Sequence, residues 1–164
     1  MRILSSVIVT MAGLVSQQAT MAPGQVMPKL VGQWTGVGVV NKAEVSAKAE
    51  FGPVLASRFT RLTYAFTVAG AGQIFEGHAY YSCAKDSDSC RGNWFDSQGS
   101  AHVLTAKQTA DVLTSEWGDG TTPRGRTEYR LTGPSTLVVT DWIRSAAGDW
   151  RQFGRVEYQR VKAF

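Results

Sequence analysis

The chain contains little cysteine, histidine or charge. Among its 164 residues are two cysteines and two histidines, and 18% of the side chains are charged. A zinc site would have to combine both cysteines with His78 and His102, so we predict no metal site. The low charge, together with 43% hydrophobic residues, excludes intrinsic disorder and is typical of a single folded core.

A basic tract is also missing, although the formal charge at pH 7 is +4. Arginines in the second half of the chain, such as Arg124, Arg126 and Arg130, alternate with acidic and apolar residues. Nucleic-acid-binding proteins usually concentrate their basic residues on one face. We therefore predict no nucleic-acid partner and assign these arginines to a solvated exterior.

Long apolar runs are absent apart from one N-terminal stretch. Residues 3–15 are mostly apolar, follow Arg2 and precede a polar run. This layout is typical of a secretory signal peptide. The stretch is shorter than the roughly 20 residues that span a membrane, so we expect no stable membrane anchor after processing.

These features divide the chain into a signal-like segment at 1–22, a linker at 23–29 and a domain at 30–164. Export through the signal-like segment predicts a periplasmic or secreted protein. Translation from Met11, Met21 or Met27 would instead leave a cytoplasmic protein.

Glycine and aromatic residues are abundant. The chain has 17 glycines, seven phenylalanines, five tryptophans and five tyrosines, a composition typical of strands joined by tight turns. Residues 136–144 alternate between two faces, with Leu137, Val139 and Asp141 on one of them. Residues 75–83 and 124–131 alternate in the same way.

The turn spacing predicts roughly nine or ten strands with short connections, and such a meander removes its exposed edges by closing into a barrel. We therefore predict an all-β chain forming a single antiparallel up-and-down barrel. A two-sheet sandwich is the structural alternative.

Four motifs give the chain a family resemblance. They are Gly32-Gln33-Trp34, Phe75-Glu76-Gly77, Trp94-Phe95-Asp96-Ser97-x-Gly99-x-x-His102 and Thr127-Glu128-Tyr129-Arg130-Leu131. In this order and spacing the chain resembles a bacterial lipocalin-like family known as domain of unknown function fifteen-seventy-nine. The resemblance covers residues 30–161 and implies a calycin-type barrel with an internal cavity, in which the Trp34 indole closes one end.

The two cysteines bracket a polar loop between strand-like segments. In a hairpin that pairs Cys83 with Cys90, Ala79 faces Trp94 and Gly77 faces Asp96. Opposed residues of a hairpin come within disulfide reach, so we predict a structural disulfide, as expected in an oxidising compartment. A metal or redox site is the weaker alternative.

Aromatic side chains are the main candidates for ligand contacts. A barrel of this size can enclose one small molecule among apolar and aromatic side chains. We therefore predict a cell-envelope protein that binds a small apolar or amphipathic molecule and uses no cofactor. Its predicted ligand-binding residues are Trp34, Tyr64, Phe66, Trp94, Trp117, Tyr129 and Trp142.

Two other functions compete with this prediction. A small barrel enzyme, an isomerase, cyclase or hydrolase, would use Asp96 and His102 as an acid–base pair across the turn that joins them. An interaction module would instead have a filled barrel and an exposed apolar patch. In a purely structural interpretation of the turn, Asp96 and Ser97 do no more than hydrogen-bond its backbone.

Other ligand classes have weaker support. Related barrels that bind haem use a histidine late in the chain, and this sequence has none after His102. The glycine pairs lack the following helix of a nucleotide loop. Carriers of carboxylates use a late Arg-x-Tyr pair, whereas Tyr158 and Arg160 occur here in reversed order, which leaves a carboxylate anchor open.

Overall fold

The computed structural model describes residues 24–72, 74–84, 87–119 and 121–162. The signal-like segment lies outside the described residues. Within them the chain is almost entirely β-structure, as its alternating pattern predicts.

One short helix, α1, precedes ten strands. Their bounds are α1 Met27–Leu30, β1 Gly32–Val40, β2 Ala43–Val54, β3 Phe59–Val68, β4 Ile74–Cys83, β5 Ser89–Asp96, β6 Ala101–Gln108, β7 Val112–Trp117, β8 Gly125–Gly133, β9 Thr136–Arg144 and β10 Trp150–Arg160.

Each strand pairs antiparallel with the next, and β10 pairs with β1, so the sheet is a closed barrel. The predicted up-and-down barrel is thus confirmed, and the sandwich is excluded. Inward positions alternate with outward ones along each strand, as a closed sheet requires. In β9 Leu137 and Val139 belong to the core, and Val138 and Thr140 between and after them are also buried.

The β4–β5 hairpin has the predicted register. Cys83 pairs with Cys90, Ala79 with Trp94 and Gly77 with Asp96. The predicted disulfide is confirmed, with an Sγ–Sγ distance of 2.03 Å and a Cα–Cα distance of 4.0 Å.

One end of the barrel, here called the closed end, is filled by apolar side chains of the segment 26–30. Met27 and Leu30 of α1 are buried, as is Val26 before it. The Met27 backbone amide donates to Gln108 Oε1 of β6 at 3.2 Å, and the Gln25 side chain donates through Nε2 to the Ser87 carbonyl. Part of the segment that the sequence treats as a linker is therefore packed into the barrel.

Trp34 completes the closed end, in the place that the family resemblance implies. Its indole is 1% exposed and donates to the Leu30 carbonyl at 2.9 Å. The Arg160 guanidinium lies 4.0 Å from the centre of the ring and donates to the carbonyls of Val31 and Lys29, each at 2.6 Å. Arg160 therefore holds the last strand, the first strand and α1 together.

The opposite end, here called the open end, carries the turns that follow β1, β3, β5, β7 and β9. Among the described residues, no helix has the length and apolarity needed to cross a membrane.

Candidate functional site

A cavity of about 320 Å³ runs into the barrel from its open end. Its volume falls at the lower end of the range of about 300–1,000 Å³ for small-molecule sites. Apolar and aromatic residues of all the inward faces form most of its surface. The lining residues are Val40, Asn41, Ala49, Leu62, Tyr64, Phe66, Phe75, Tyr81, Trp94, Asp96, Gln98, Ser100, His102, Leu104, Ser115, Trp117, Thr127, Tyr129, Val139, Asp141, Phe153 and Tyr158.

Four of these rings, Tyr64, Phe66, Phe75 and Trp94, form a continuous surface that we call the aromatic wall. Phe66 and Phe75 stack with ring centres 5.1 Å apart, and Phe75 and Trp94 stack at 6.4 Å. Tyr64 contacts the other three rings at 5.8 to 6.4 Å. Strands β3, β4 and β5 thus offer a continuous aromatic surface to a ligand.

Two glycines leave room for the indoles that line the cavity. A Cβ at Gly77 would lie 2.1 Å from the Trp94 ring, and one at Gly125 would lie 2.0 Å from the Trp117 ring. Both indoles therefore lie against bare backbone of a neighbouring strand. Larger residues at either glycine would push an indole into the cavity.

Asp141 of β9 is the main polar group that the sequence interpretation missed. Its Oδ1 accepts a hydrogen bond from the Thr127 hydroxyl at 2.6 Å, and Thr127 Oγ1 in turn accepts one from the Trp117 indole at 3.3 Å. No described residue donates to the Asp141 Oδ2. Burial raises the pKa of Asp141 from 3.8 to about 6, against the effect of the Thr127 hydrogen bond.

The sequence did contain an indication that Asp141 occupies an unusual position. It is the acidic residue on the alternating face of β9 that carries Leu137 and Val139, where an acid at a buried position suggests a functional group. The alternation alone could not decide which face of β9 points inward, because Val138 and Trp142 make the other face apolar too. In the structure, Arg130 and Arg155 lie on that outer face beside Val138 and Thr140.

Tyrosine hydroxyls occupy the deeper part of the cavity. Tyr81 donates to the Ser115 hydroxyl at 3.1 Å. Burial raises the pKa of Tyr81 to about 12, and it raises the pKa values of Tyr64, Tyr129 and Tyr158 as well. All four are neutral at physiological pH.

The Tyr158 hydroxyl is buried close to the Tyr64 hydroxyl, whose influence adds to the raised pKa of Tyr158, but no described residue makes a hydrogen bond of regular geometry to it. An unpartnered buried hydroxyl carries a desolvation cost of about 1–3 kcal/mol. Because Tyr158 lines the cavity, its hydroxyl is available to a bound molecule.

Asp96 and His102 both line the cavity, but no hydrogen bond or ion pair joins them. Asp96 accepts from the Trp94 indole at 3.0 Å and from the amides of Gln98 and Ser100 at 2.9 and 3.0 Å. Burial alone would raise the pKa of Asp96, but these hydrogen bonds outweigh it and lower the pKa. Asp96 therefore holds the β5–β6 turn, and His102 packs against Trp117 with ring centres 5.5 Å apart.

The predicted ligand-binding residues divide into two groups. Five of them line the cavity, namely Tyr64, Phe66, Trp94, Trp117 and Tyr129. The other two do not: Trp34 belongs to the closed end, and Trp142 lies on the outer face, with the Arg126 guanidinium 4.8 Å from its ring centre. Sequence periodicity shows which aromatic residues share one face of a strand, but it does not show whether that face points into the barrel or at which end of the barrel a residue lies.

Tyr158 and Arg160 do not form a carboxylate anchor. Arg160 is engaged by Trp34 and two backbone carbonyls at the closed end, whereas Tyr158 lines the cavity. In the part of the chain that the structure describes, no group of three His, Cys, Asp or Glu residues is placed to hold a metal ion.

Comparison with known proteins places the chain by its fold. No family model matches the sequence, and no curated protein matches it. Solved structures do: the Rv2717c protein of M. tuberculosis superimposes with a TM-score of 0.63 at 16% identity, covering 87% of this chain and 99% of the other. This chain has a lipocalin-like barrel fold. The likeness to domain of unknown function fifteen-seventy-nine remains a resemblance.

Two further structures share the barrel. A protein of unknown function from the DUF3598 family of Nostoc punctiforme has a TM-score of 0.54 at 14% identity, over 85% of this chain and 51% of that one. The barrel EF1p2_mFAP2b, solved with bound DFHBI, has a TM-score of 0.51 at 12% identity, over 84% of this chain and 98% of the other. At these identities the likeness concerns the fold alone.

Proposed function

We propose that this protein is a non-enzymatic binding protein of the cell envelope that holds one small amphipathic molecule in the barrel cavity. The observation that carries the proposal is the cavity of about 320 Å³, which joins the aromatic wall to polar groups that lack partners. A ligand would place its apolar body on the wall and its polar head near Asp141 and Tyr158.

The structure gives less support to the enzyme alternative with Asp96 and His102. A general base must reach the proton that it removes directly or through one water, and Asp96 already accepts three hydrogen bonds from its own turn and from Trp94. The interaction-module alternative is also less favoured, because it requires a filled barrel.

The cell-envelope location is part of the proposal. It rests on the signal-like segment at 1–22 and on the Cys83–Cys90 disulfide, a bond that persists mainly in oxidising compartments. N-terminal sequencing of the mature protein tests it, and we expect a first residue near position 23. A mature chain that begins at Met1 would contradict export by this segment.

Ligand binding is tested by native mass spectrometry of the protein purified from its own envelope fraction. We expect a noncovalent adduct of small-molecule mass that is released on denaturation. In parallel, N-phenyl-1-naphthylamine, a neutral apolar dye, should fluoresce on binding to the purified protein after the adduct has been removed.

A matched pair of variants localises the dye. Leu104 lines the cavity, whereas its neighbour Val103 is 72% exposed on the outer face. Leu104→Trp should fill part of the cavity and abolish the fluorescence, and Val103→Trp should leave it unchanged. Circular dichroism checks that both variants fold. A wild-type protein without an adduct and without dye binding would refute the proposed function, as would equal effects of the two substitutions.

A further inference from the structure

We propose that the cavity selects molecules that carry a protonated amine on an apolar or aromatic body, and that it rejects carboxylates. The inference rests on the proposed ligand-binding function and specifies its ligand class. It follows from the charges that line the cavity, from the carboxylate oxygen of Asp141 that accepts no hydrogen bond, and from the position of the aromatic wall.

The lining of the cavity is acidic. Its described residues include the carboxylates of Asp96 and Asp141, the single imidazole of His102, which packs on Trp117, and no lysine or arginine. A carboxylate ligand would lose its hydration without gaining a counter-ion and would face two charges of its own sign. An ammonium group would meet the opposite field.

Arginines near Asp141 in the sequence lie outside the barrel. Arg126 precedes Thr127 on β8, but its guanidinium lies between the rings of Trp142 and Trp150, 4.8 Å from each centre. Arg155 on β10 pairs with Glu157 at 2.7 Å on the outer face. Neither guanidinium is placed to neutralise Asp141.

The titratable groups that influence Asp141 from the other strands are tyrosines. They are Tyr64 on β3, Tyr81 on β4, Tyr129 on β8 and Tyr158 on β10, and the Asp141 charge raises the pKa of each. Since all four are neutral, the Asp141 carboxylate has no counter-ion among the described residues. A buried carboxylate with a single hydrogen bond is normally compensated by a cation, and here a ligand can supply it.

Acceptors for the ammonium protons are already oriented. The Trp117 indole and the Thr127 hydroxyl fix Asp141 through Oδ1, so Oδ2 can accept from the ligand. The buried Tyr158 hydroxyl, which lies near the Tyr64 hydroxyl without a hydrogen bond of regular geometry, offers a second oxygen to the ligand. Tyr64 and Trp94 of the aromatic wall line the same cavity, and aromatic rings attract a cation that lies over their faces.

Binding of an amine would also shift the proton equilibrium of Asp141. Burial raises the pKa of this carboxyl to about 6 in the free protein, and a bound ammonium group would lower it. The complex should therefore release a proton near pH 6, and amine affinity should fall as the pH is lowered from about 8 to about 5.

The test is isothermal titration calorimetry with three probes that share one ring system: 2-naphthylmethylamine, 2-naphthylmethanol and 2-naphthoic acid. At about pH 8 we expect the amine to bind roughly tenfold more tightly than the alcohol, and the acid to bind most weakly. Titrations in two buffers of different ionisation enthalpy measure the proton release near pH 6.

Asp141→Asn should weaken amine binding by about tenfold, change alcohol binding by less than about threefold, and abolish the proton release. Glu157→Gln, an equivalent carboxylate-to-amide change on the outer face, is the matched control and should alter nothing. Thermal unfolding verifies that both variants are folded.

The outcomes separate the two proposals. If the three probes bind equally, or if Asp141→Asn leaves amine binding intact, the charge selectivity is wrong while the binding function stands. Tightest binding by 2-naphthoic acid would overturn the amine class outright. If no probe binds and the protein carries no native adduct, the binding function itself fails, and the selectivity fails with it.

Discussion

The two ends of this barrel use similar residues for opposite purposes. At the closed end, Trp34 and Arg160 donate hydrogen bonds to backbone carbonyls. The Gln108 Nε2 at this end has no hydrogen-bond partner among the described residues. Towards the open end, Trp117 and Asp141 belong to a short hydrogen-bonded chain that leaves a carboxylate oxygen unused. Trp34 and Arg160 thus join strands, whereas Asp141 keeps an unused oxygen on a residue that lines the cavity.

Trp34→Ala should break this comparison most strongly. Replacement of a buried tryptophan by alanine lowers the free energy of unfolding by about 3–5 kcal/mol, and Arg160 also loses its stacking partner. Trp117→Ala should lower it by less than half as much, because this indole borders the cavity. Urea denaturation followed by far-UV circular dichroism measures both, and equal losses would contradict the division into two ends.

Removal of the disulfide should affect stability and leave binding unchanged. The disulfide joins residues seven positions apart. We expect the double substitution Cys83→Ala with Cys90→Ala to lower the free energy of unfolding by about 2 kcal/mol, because the unfolded chain gains little freedom when so short a loop is opened. The hairpin tip lies at the closed end, so dye affinity should stay the same. A loss of dye binding in a folded double variant would show that the two ends are coupled.

Asp141→Asn should stabilise the protein in alkaline solution. The folded state raises the pKa of Asp141 from 3.8 to about 6, so it binds the proton more tightly than the unfolded state does. Wild-type stability therefore falls as the pH rises from about 4 to about 6 and stays lower above that. Asp141→Asn escapes this loss, which amounts to about 3 kcal/mol near pH 8, and its stability equals that of the wild type near pH 4.

Asp96 provides the contrasting carboxylate. Its pKa is lowered in the folded state, so its contribution to stability is present above the unfolded pKa and is lost as the pH falls. Asp96→Asn should therefore destabilise the protein at neutral pH, opposite in sign to Asp141→Asn. Urea denaturation at a series of pH values measures both variants, and effects of the same sign would remove the distinction between a structural and a ligand-facing carboxylate.

Glu157→Gln should have the smallest effect. Its ion pair with Arg155 is exposed on the outer face, and such pairs contribute about 0–1 kcal/mol. We expect a change within about 0.5 kcal/mol that disappears at high salt. A larger loss would mean that the outer face carries stability that the comparison assigns to the closed end.

Local patterns predicted the strands well. Residues 136–144 alternate between two faces in the sequence pattern, and β9 has those bounds. The pairing of Cys83 with Cys90 predicted the β4–β5 register correctly, because the register of a hairpin is determined by its own turn. The contact of Arg160 with Trp34 could not be found this way. It joins residues 126 positions apart, and its partners meet only once the barrel has closed.

The site was predicted only in part for the same reason. Five aromatic residues that alternate with the strands do line the cavity, but Trp34 and Trp142 do not. Asp141 was missed because its importance depends on which face of β9 points inward and on the absence of a nearby cation. Both are properties of the closed barrel rather than of any single segment.

The first and last elements of the described chain meet at the closed end, and this has a practical consequence. Val26 packs there, and β10 ends beside β1 at Arg160, whereas the cavity opens at the other end of strands that rise about 3.3 Å per residue. A surface linker or reporter joined directly before Val26 or after Arg160 would leave the entrance facing away from the attachment point. Immobilised molecules would therefore all present their openings to the surrounding solution.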